Sequence, residues 1–155
     1  GPCPAGWPLQ LGSTGQEPHP HAMTIVALGM DLTRIERLEE AYRRHGERLI
    51  ERLFTPGERR YCDARKERFV HYAGRFAVKE AVMKVLGTGW AKGVRWVDIE
   101  VVRESGSAPG VVLHGESARL AAASGIERIL ITITHDAGVA AAVALAEGRV
   151  RQASE

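Results

Sequence analysis

Four charged residues in one apolar stretch of the chain could act together on a phosphorylated substrate. Glu80 and Lys84 lie one helical turn apart, in a gap between two apolar arcs of a helical wheel. A buried, ionised Glu80 needs a compensating cation, which a bound metal ion would provide. Arg75 and Lys79 share another edge, and this like-charged pair is explained if both face phosphates. The alternative for Glu80 and Lys84 is an ordinary surface ion pair that adds little stability.

Asp31 is a second carboxylate whose position admits two interpretations. It follows an apolar run at residues 24–30, which predicts a buried strand, and it precedes a segment with helical periodicity. An aspartate at a helix start commonly caps the first backbone N–H groups. The same residue type binds Mg²⁺, which takes one or two carboxylates together with phosphate oxygens and water. The sequence leaves both interpretations open.

Hydrophobic periodicity predicts the elements that must position these residues. The predicted elements are strands at 24–30, 96–103, 111–114, 128–134 and 139–146, with helices at 32–53, 66–86 and 116–124 and a short helix after Thr55. Thr55 and Glu58 have the spacing of a capping box, and Gly87 ends the helix at 66–86. The last two strands form a hairpin across 135–138. This order predicts an α+β fold, with helices packed on a mainly antiparallel sheet.

Length, charge and cysteine usage narrow the class of protein. Residues 1–22 are rich in Pro and Gly and are expected to be a disordered tail or a cloning remnant, with one domain at 23–155. A net charge of +2 is too small for bulk nucleic-acid binding, and no apolar run reaches the ~20 residues of a membrane span. Cys3 and Cys62 lack C-x-x-C spacing, which argues against a disulfide framework. We therefore expect a cytoplasmic protein in which Cys62 is a small buried apolar residue.

Arginines dominate one stretch of the predicted helix at 32–53. Arg37, Arg44 and Arg48 are seven and four residues apart, so they share one helical face. The ordinary interpretation is a solvated face balanced by neighbouring glutamates. The alternative is a basic face that binds an acidic partner, although the whole chain is nearly neutral.

Three segments carry a resemblance to one family. They are GMDLTRIER at 29–37, FTPGERRYC at 54–62 and GRFAVKEAVMKVLGTG at 74–89. A weaker fourth match is ITH at 133–135, followed by alanines at 140–142. In order and spacing these segments resemble the holo-acyl-carrier-protein synthases, the short bacterial group of 4′-phosphopantetheinyl transferases. The resemblance runs from about Met23 to Leu145.

The resemblance implies a fold, a reaction and a role for each matched residue. The implied reaction moves the 4′-phosphopantetheine arm of coenzyme A onto a serine of an acyl carrier protein, with Mg²⁺ and release of 3′,5′-ADP, in fatty acid and lipid biosynthesis. Asp31 and Glu80 are expected to bind Mg²⁺, and Lys84 the transferred phosphate. The residues expected to bind coenzyme A are Arg75, Lys79, Gly87, Thr88, Gly89 and His135. A homotrimer is implied, with His135 reaching a neighbour's site, and carrier-protein docking is expected at Arg37, Arg44 and Arg48.

Some features of the sequence leave the mechanism open. The family's G-[KR]-P turn is replaced by GSAPG at 106–110, and Thr33 stands where related transferases have another acidic ligand. The general base is Glu80 directly or Asp31 through a water. Two rival functions remain: a non-catalytic coenzyme A or nucleotide-binding module, and a carrier-protein interaction domain that uses the arginines alone.

Overall fold

The computed structural model describes residues 23–87, 93–104 and 106–149. Its strands are β1 (Thr24–Arg34), β2 (Ile99–Val102), β3 (Gly110–Leu113), β4 (Ile126–Asp136) and β5 (Val139–Gly148). Its helices are α1 (Ile35–His45), α2 (Glu47–Leu53), α3 (Pro56–Asp63), α4 (Arg68–Leu86) and α5 (Gly115–Ala123), with a 3₁₀ turn at Trp96–Asp98. None of the described helices has the length and hydropathy to cross a membrane.

Both sheets are antiparallel, which confirms the predicted α+β architecture. The larger sheet has the strand order β1-β5-β4, and β2 pairs with β3 in a separate two-stranded sheet. The predicted hairpin is the β4–β5 connection, in which Ala137 and Gly138 both have positive φ, 48° and 78°. This pair of left-handed residues is the geometry that a tight two-residue hairpin requires.

Helix α4 is the central element, as its two apolar arcs predict. It packs on β1 and β5, and twelve of its nineteen residues are buried. The alanines that β5 turns toward the helix are at most 2% exposed, and their small side chains let the helix lie close to the sheet. Contact is closest at Gly29 of β1, where a Cβ would collide with the backbone carbonyl of Ala81. Because Gly29 has no side chain, the middle of β1 lies directly against the C-terminal half of α4.

Three predicted boundaries are wrong for identifiable reasons. Strand β1 continues to Arg34 because it pairs with β5 over that whole length. Helix α1 therefore begins at Ile35, and Asp31 is a strand residue, so the helix-capping interpretation of Asp31 is wrong. The helix predicted at 32–53 also breaks at Gly46, whose φ of 64° and ψ of −152° are open to glycine. The predicted strand at 96–103 begins only at Ile99, after the 3₁₀ turn.

The described residues cover the large sheet on one face only, so β1 is not the fully buried strand that its composition predicts. We call its other side the outer sheet face, made of Leu28, Met30, Leu32 and Leu130 with the β5 residues between them. These four side chains are 44–64% exposed. An exposed apolar surface of this kind on a sheet typically marks an interaction site.

Candidate active site

The crossing of β1 and α4 brings together Asp31, Glu80 and Lys84. Side chains alternate along β1, so Asp31 lies on the same face as Gly29 and points toward α4. The Lys84 ammonium donates to the Asp31 carboxylate (Nζ–Oδ1 3.1 Å) and to the Met30 carbonyl (2.7 Å). Within the described residues Lys84 thus pairs with Asp31, so the structure does not contain the surface Glu80–Lys84 pair considered as an alternative.

The two carboxylates lie close enough to repel each other. Burial raises the pKa of Glu80, and the negative charge of Asp31 raises it further, while Lys84 and Arg37 pull it down. A divalent cation between the two carboxylates would relieve this repulsion. Two carboxylates fit Mg²⁺, whose other positions are commonly filled by substrate phosphate and water. No group of three or more His, Cys, Asp or Glu side chains with metal-binding geometry occurs in the part of the chain that the structure describes.

The coupling between the carboxylates gives a direct titration test. Asp31→Asn removes one negative charge and should lower the pKa of Glu80, leaving it above its ordinary value because burial remains. The measurement is a ¹³C-NMR titration of the Glu80 carboxyl in metal-free protein, with Glu36→Gln as the control on the exposed side of α1. An unchanged or higher pKa of Glu80 in Asp31→Asn would show that the two carboxylates are not coupled.

Asp31 and Glu80 open into a cleft of about 880 Å³ between β1, α1, α2 and α4. Its apolar wall is formed by Leu38, Ala41, Leu49, Leu53, Phe76 and Trp96, and its cationic rim by Arg34, Arg37 and Arg52. The three arginines are exposed. The cleft therefore combines a pair of carboxylates, a row of cations and an apolar surface, which suits a ligand with both phosphate and apolar parts.

A second, basic cleft of about 480 Å³ adjoins the first at the α1–α2 break. It is lined by Arg44, His45, Arg48, Leu49 and Arg52, and the last two also line the first cleft. The three arginines predicted to dock a carrier protein are therefore not on one continuous helix. Arg37 lies in the first cleft, and Arg44 and Arg48 lie in the second, on either side of the break. Among the described residues none of the three has an acidic side chain within 4 Å.

Arg75 is a nearly buried cation without an acidic partner among the described residues. It is 5% exposed, its Nε has no hydrogen-bond partner, and its best hydrogen bond is a long one to the His71 carbonyl (Nη1–O 3.5 Å). Its guanidinium stacks on the Tyr61 ring at 3.8 Å, and Arg65 stacks on the same ring at 3.4 Å. Burial with the nearby charges of Arg65, Arg75 and His135 lowers the pKa of His71. An anion bound here would compensate the cationic cluster.

His135 lies with this basic cluster, away from the two carboxylates. It pairs with Ala140 of β5, which in turn pairs with Thr33 of β1, so two strand spacings, roughly 10 Å, separate its backbone from that of Thr33. Helix α4 crosses the sheet so that Gly74 packs on Ile133 of β4 while its C-terminal half packs on β1. Within one chain, the carboxylates and the basic cluster therefore lie over opposite edge strands.

Lys79 does not face a phosphate, and the expectation that it binds coenzyme A requires correction. Its side chain is 0% exposed, and its ammonium donates to Glu58 (Nζ–Oε2 2.8 Å), to the Trp96 carbonyl (3.0 Å) and to the Ile99 carbonyl. All three ammonium protons have acceptors. The helical wheel predicted correctly that Lys79 and Arg75 lie on one edge of α4, but that edge packs against α3 and the start of β2.

The helix end and Cys62 agree with the sequence analysis where the structure describes them. Gly87 ends α4 in the left-handed conformation with φ of 65°, which confirms it as the C-terminal cap. Thr88 and Gly89, also expected to bind coenzyme A, lie outside the described residues. Cys62 is fully buried, and burial raises the pKa of its thiol to about 12. Such a thiol packs in the core as a small apolar side chain and does not act as a nucleophile.

Comparison with known proteins identifies the family. A family model described as the 4′-phosphopantetheinyl transferase superfamily matches residues 27–144. The chain belongs to this family. Similar curated proteins include the holo-[acyl-carrier-protein] synthases of Anaeromyxobacter sp. (strain K), 47% identical over 127 residues, and Solibacter usitatus (strain Ellin6076), 42% identical over 123 residues. These alignments span 80% and 79% of this chain and 97% and 98% of the relatives.

Solved structures of the same family share the fold. The coenzyme A complex of the Helicobacter pylori holo-[acyl-carrier-protein] synthase is 31% identical with a TM-score of 0.67, covering 77% of this chain and 98% of that one. A coenzyme A complex from Chronobacterium ammoniagenes is also 31% identical, with a TM-score of 0.70 and coverage of 83% and 99%. The predicted family and fold are therefore both confirmed.

Sequence reasoning missed the residues that surround Arg75 and Lys79. Tyr61 and Glu58 are not candidates from charge or spacing alone, because they lie on α3 while Arg75 and Lys79, which they contact, lie on α4. Arg65 reaches the same Tyr61 ring from the turn that follows α3. The sequence carries one signal for Glu58 and Tyr61: both belong to the FTPGERRYC segment, which matches the family. The resemblance assigns neither residue a role in binding or catalysis. In this 4′-phosphopantetheinyl transferase fold, the segment forms α3 and packs against α4.

Proposed function

We propose that this chain transfers the 4′-phosphopantetheine group from coenzyme A to a serine of an acyl carrier protein, giving holo-carrier protein and 3′,5′-ADP. The observation that carries the proposal is the convergence of Asp31, Glu80 and Lys84 in an arginine-rimmed cleft of a member of this transferase family. The reaction belongs to fatty acid and lipid biosynthesis, and we place it in the cytoplasm.

Asp31 and Glu80 are the residues that would hold Mg²⁺. Their repulsion in the free protein and their donor chemistry both support this assignment. When bound, Mg²⁺ supplies charge neutralisation at the coenzyme A diphosphate. Lys84, already against Asp31, lies where its ammonium can also contact a phosphate held at these carboxylates. Its side chain is 54% exposed and free to turn toward a substrate.

The chemical step is a substitution at the β-phosphorus of coenzyme A. The carrier serine Oγ forms the new P–O bond, and the bond to the bridging oxygen breaks, so that 3′,5′-ADP leaves with that oxygen. The serine proton passes to Glu80 or, through a water, to Asp31, the two carboxylates that line the cleft. Such a reaction depends on positioning and charge compensation more than on covalent catalysis by the protein.

Arg75 and His135 are the residues that we assign to the coenzyme A phosphates. The support is the Arg75 guanidinium, which stacks on the Tyr61 ring and whose Nε has no hydrogen-bond partner among the described residues; no acidic residue of that part of the chain stacks on it or accepts a hydrogen bond from it. A bound phosphate would accept hydrogen bonds from Arg75 and compensate the cluster's charge. The exposed arginines of the two adjoining clefts, Arg37, Arg44 and Arg48, are assigned to docking of the acidic carrier protein.

We further propose a homotrimer in which each site lies between subunits. Two features support it: the exposed apolar outer sheet face, and the position of carboxylates and basic cluster over opposite edge strands. Assembly through that sheet would cover Leu28 and Leu32, which are 64% and 62% exposed in one chain. It would also bring the β4 edge of one copy toward the β1 edge of the next.

Shared sites predict complementation between two inactive variants. Co-expressed His135→Ala and Glu80→Ala chains should assemble randomly and give about a quarter of the wild-type activity, because a site regains both residues only when each comes from the intact copy. The measurement is turnover of the purified mixture, with each variant alone as the control. Activity no higher than that of the separate variants, or sedimentation of an active monomer, would exclude sites of this kind.

An assay for 3′,5′-ADP separates the transferase from its two rivals. The wild-type chain with coenzyme A, apo-carrier protein and Mg²⁺ should release 3′,5′-ADP in proportion to the carrier consumed, and EDTA should stop the release. A coenzyme A-binding module would bind the nucleotide without releasing product. A carrier-interaction domain would bind the carrier protein without any dependence on coenzyme A.

A further inference from the structure

The buried ion pair between Glu58 and Lys79 has no part in the chemistry described so far. Both side chains are 0% exposed, and each makes three hydrogen bonds. The Glu58 carboxylate accepts from Lys79, from the backbone N–H of Thr55 at the start of α3 (2.9 Å) and from that of Val101 in β2 (3.0 Å). One carboxylate thus joins α3, α4 and β2.

Lys79 extends this connection to the wall of the cleft. Its ammonium donates to the backbone carbonyls of Trp96 and Ile99, which flank the 3₁₀ turn leading into β2. The Trp96 side chain lines the cleft together with Glu80. Lys79 therefore fixes the turn that carries one wall of the cleft, and in the α4 sequence it immediately precedes Glu80.

Stability alone is a poor reason for this arrangement. Two charges removed from water lose their hydration, and apolar residues of similar size often serve at least as well. What apolar residues cannot supply is direction, because hydrogen bonds fix both the rotation of a helix and the distance to its neighbour. Here the pair makes five such bonds, three of them from Lys79, the residue next to Glu80, and two more to the Glu58 carboxylate.

We propose that Lys79 and Glu58 are positioning residues for the metal site. They hold the turn of α4 that carries Glu80, and the Trp96 turn facing it, in the arrangement that lets Glu80 and Asp31 bind one divalent cation. This inference rests on the proposed function, since it concerns the same cleft. Groups that orient metal ligands from outside the ligand set commonly change metal affinity about 10- to 100-fold when replaced.

The test is direct metal binding by a double variant. Lys79→Met/Glu58→Gln removes both charges at similar volume, so no uncompensated charge is left buried. Mn²⁺ binding is followed by the electron paramagnetic resonance signal of free Mn²⁺, with saturating coenzyme A and no carrier protein. Val82→Ala is the matched control, because Val82 is fully buried in the same helix and its truncation destabilises the fold without touching the ion pair. Urea unfolding of each protein provides the comparison of stability.

The expected result is Mn²⁺ affinity about tenfold weaker in the double variant than in the wild type, with Val82→Ala unchanged. Equal Mn²⁺ affinity in all three proteins, or an equal loss in Val82→Ala, would overturn the inference while leaving the proposed function intact. Absence of Mn²⁺ binding by the wild type would remove the proposed metal site and this inference with it. If the double variant fails to fold, Glu58→Asp, which keeps both buried charges but shortens the side chain that joins α3, α4 and β2, should weaken Mn²⁺ binding in the same direction, and an unchanged affinity there is equally decisive against it.

Discussion

Replacing Asp31 or Glu80 with alanine should lower kcat/KM by roughly a thousandfold or more while the protein stays folded. Each substitution removes one of the two carboxylates that converge from β1 and α4, so the cation and the diphosphate lose their common anchor. The fold should survive because both side chains line the cleft and neither belongs to the apolar core. Loss of either carboxylate even relieves the repulsion that raises the pKa of Glu80, so the free protein should keep its stability.

The measurement is steady-state transfer across a range of Mg²⁺ concentrations, with thermal unfolding of each variant. Glu36→Ala serves as the control, since Glu36 is an exposed acidic residue in the first turn of α1 and should leave turnover unchanged. Near wild-type turnover of Asp31→Ala or Glu80→Ala at saturating Mg²⁺ would remove that residue from the metal site.

Charge reversal of Arg37 should impair use of the carrier protein selectively. Arg37 is an exposed cation on the rim of the cleft that contains the carboxylates, and it is close enough to lower the pKa of Glu80. An acidic carrier whose serine enters this cleft must pass that rim, and truncating a charge pair near the centre of a contact typically costs about 2–5 kcal/mol. We expect Arg37→Glu to raise the KM for carrier protein at least about tenfold and to leave the KM for coenzyme A nearly unchanged.

Arg43→Glu is the matched control on the same helix. Arg43 lines neither cleft and pairs with Glu39 one turn away (3.7 Å), so its reversal should have little effect on either KM. Added salt should weaken the wild type as Arg37→Glu does, through the carrier protein alone. If both Michaelis constants rise together in Arg37→Glu, or Arg43→Glu behaves in the same way, the arginine rim is not the docking surface.

The sequence predicted the architecture because its signals there are local. The alternation of β4 and β5, the capping box at Thr55 and the Gly87 cap each depend on a few neighbouring residues. The end of β1 was mispredicted because pairing with β5 extends the strand into residues with helical periodicity. Tertiary pairing decides such a boundary, and no local pattern of Leu32, Thr33 or Arg34 reports it.

The sequence predicts only part of the candidate site, and the reason is again the difference between local signals and tertiary packing. The charges of Asp31, Glu80 and Lys84 in or beside apolar segments make them candidates, the family resemblance assigns their roles, and the structure places them together. Lys79 is also a charged residue in apolar surroundings, but a carboxylate compensates its charge and not a phosphate. That carboxylate belongs to Glu58, which lies twenty-one residues away in another helix. Charge and periodicity indicate that a buried cation needs compensation. Only the packing of α3 on α4 decides whether a phosphate or a carboxylate provides it.

The central claim is tested most directly by the mass of the carrier protein itself. Apo-acyl carrier protein incubated with this chain, coenzyme A and Mg²⁺ should gain the mass of one phosphopantetheine group, located by fragmentation on its serine. The Glu80→Ala chain under the same conditions should leave the carrier at its apo mass. An unmodified carrier with the wild-type chain, or the same modification with Glu80→Ala, would contradict the account.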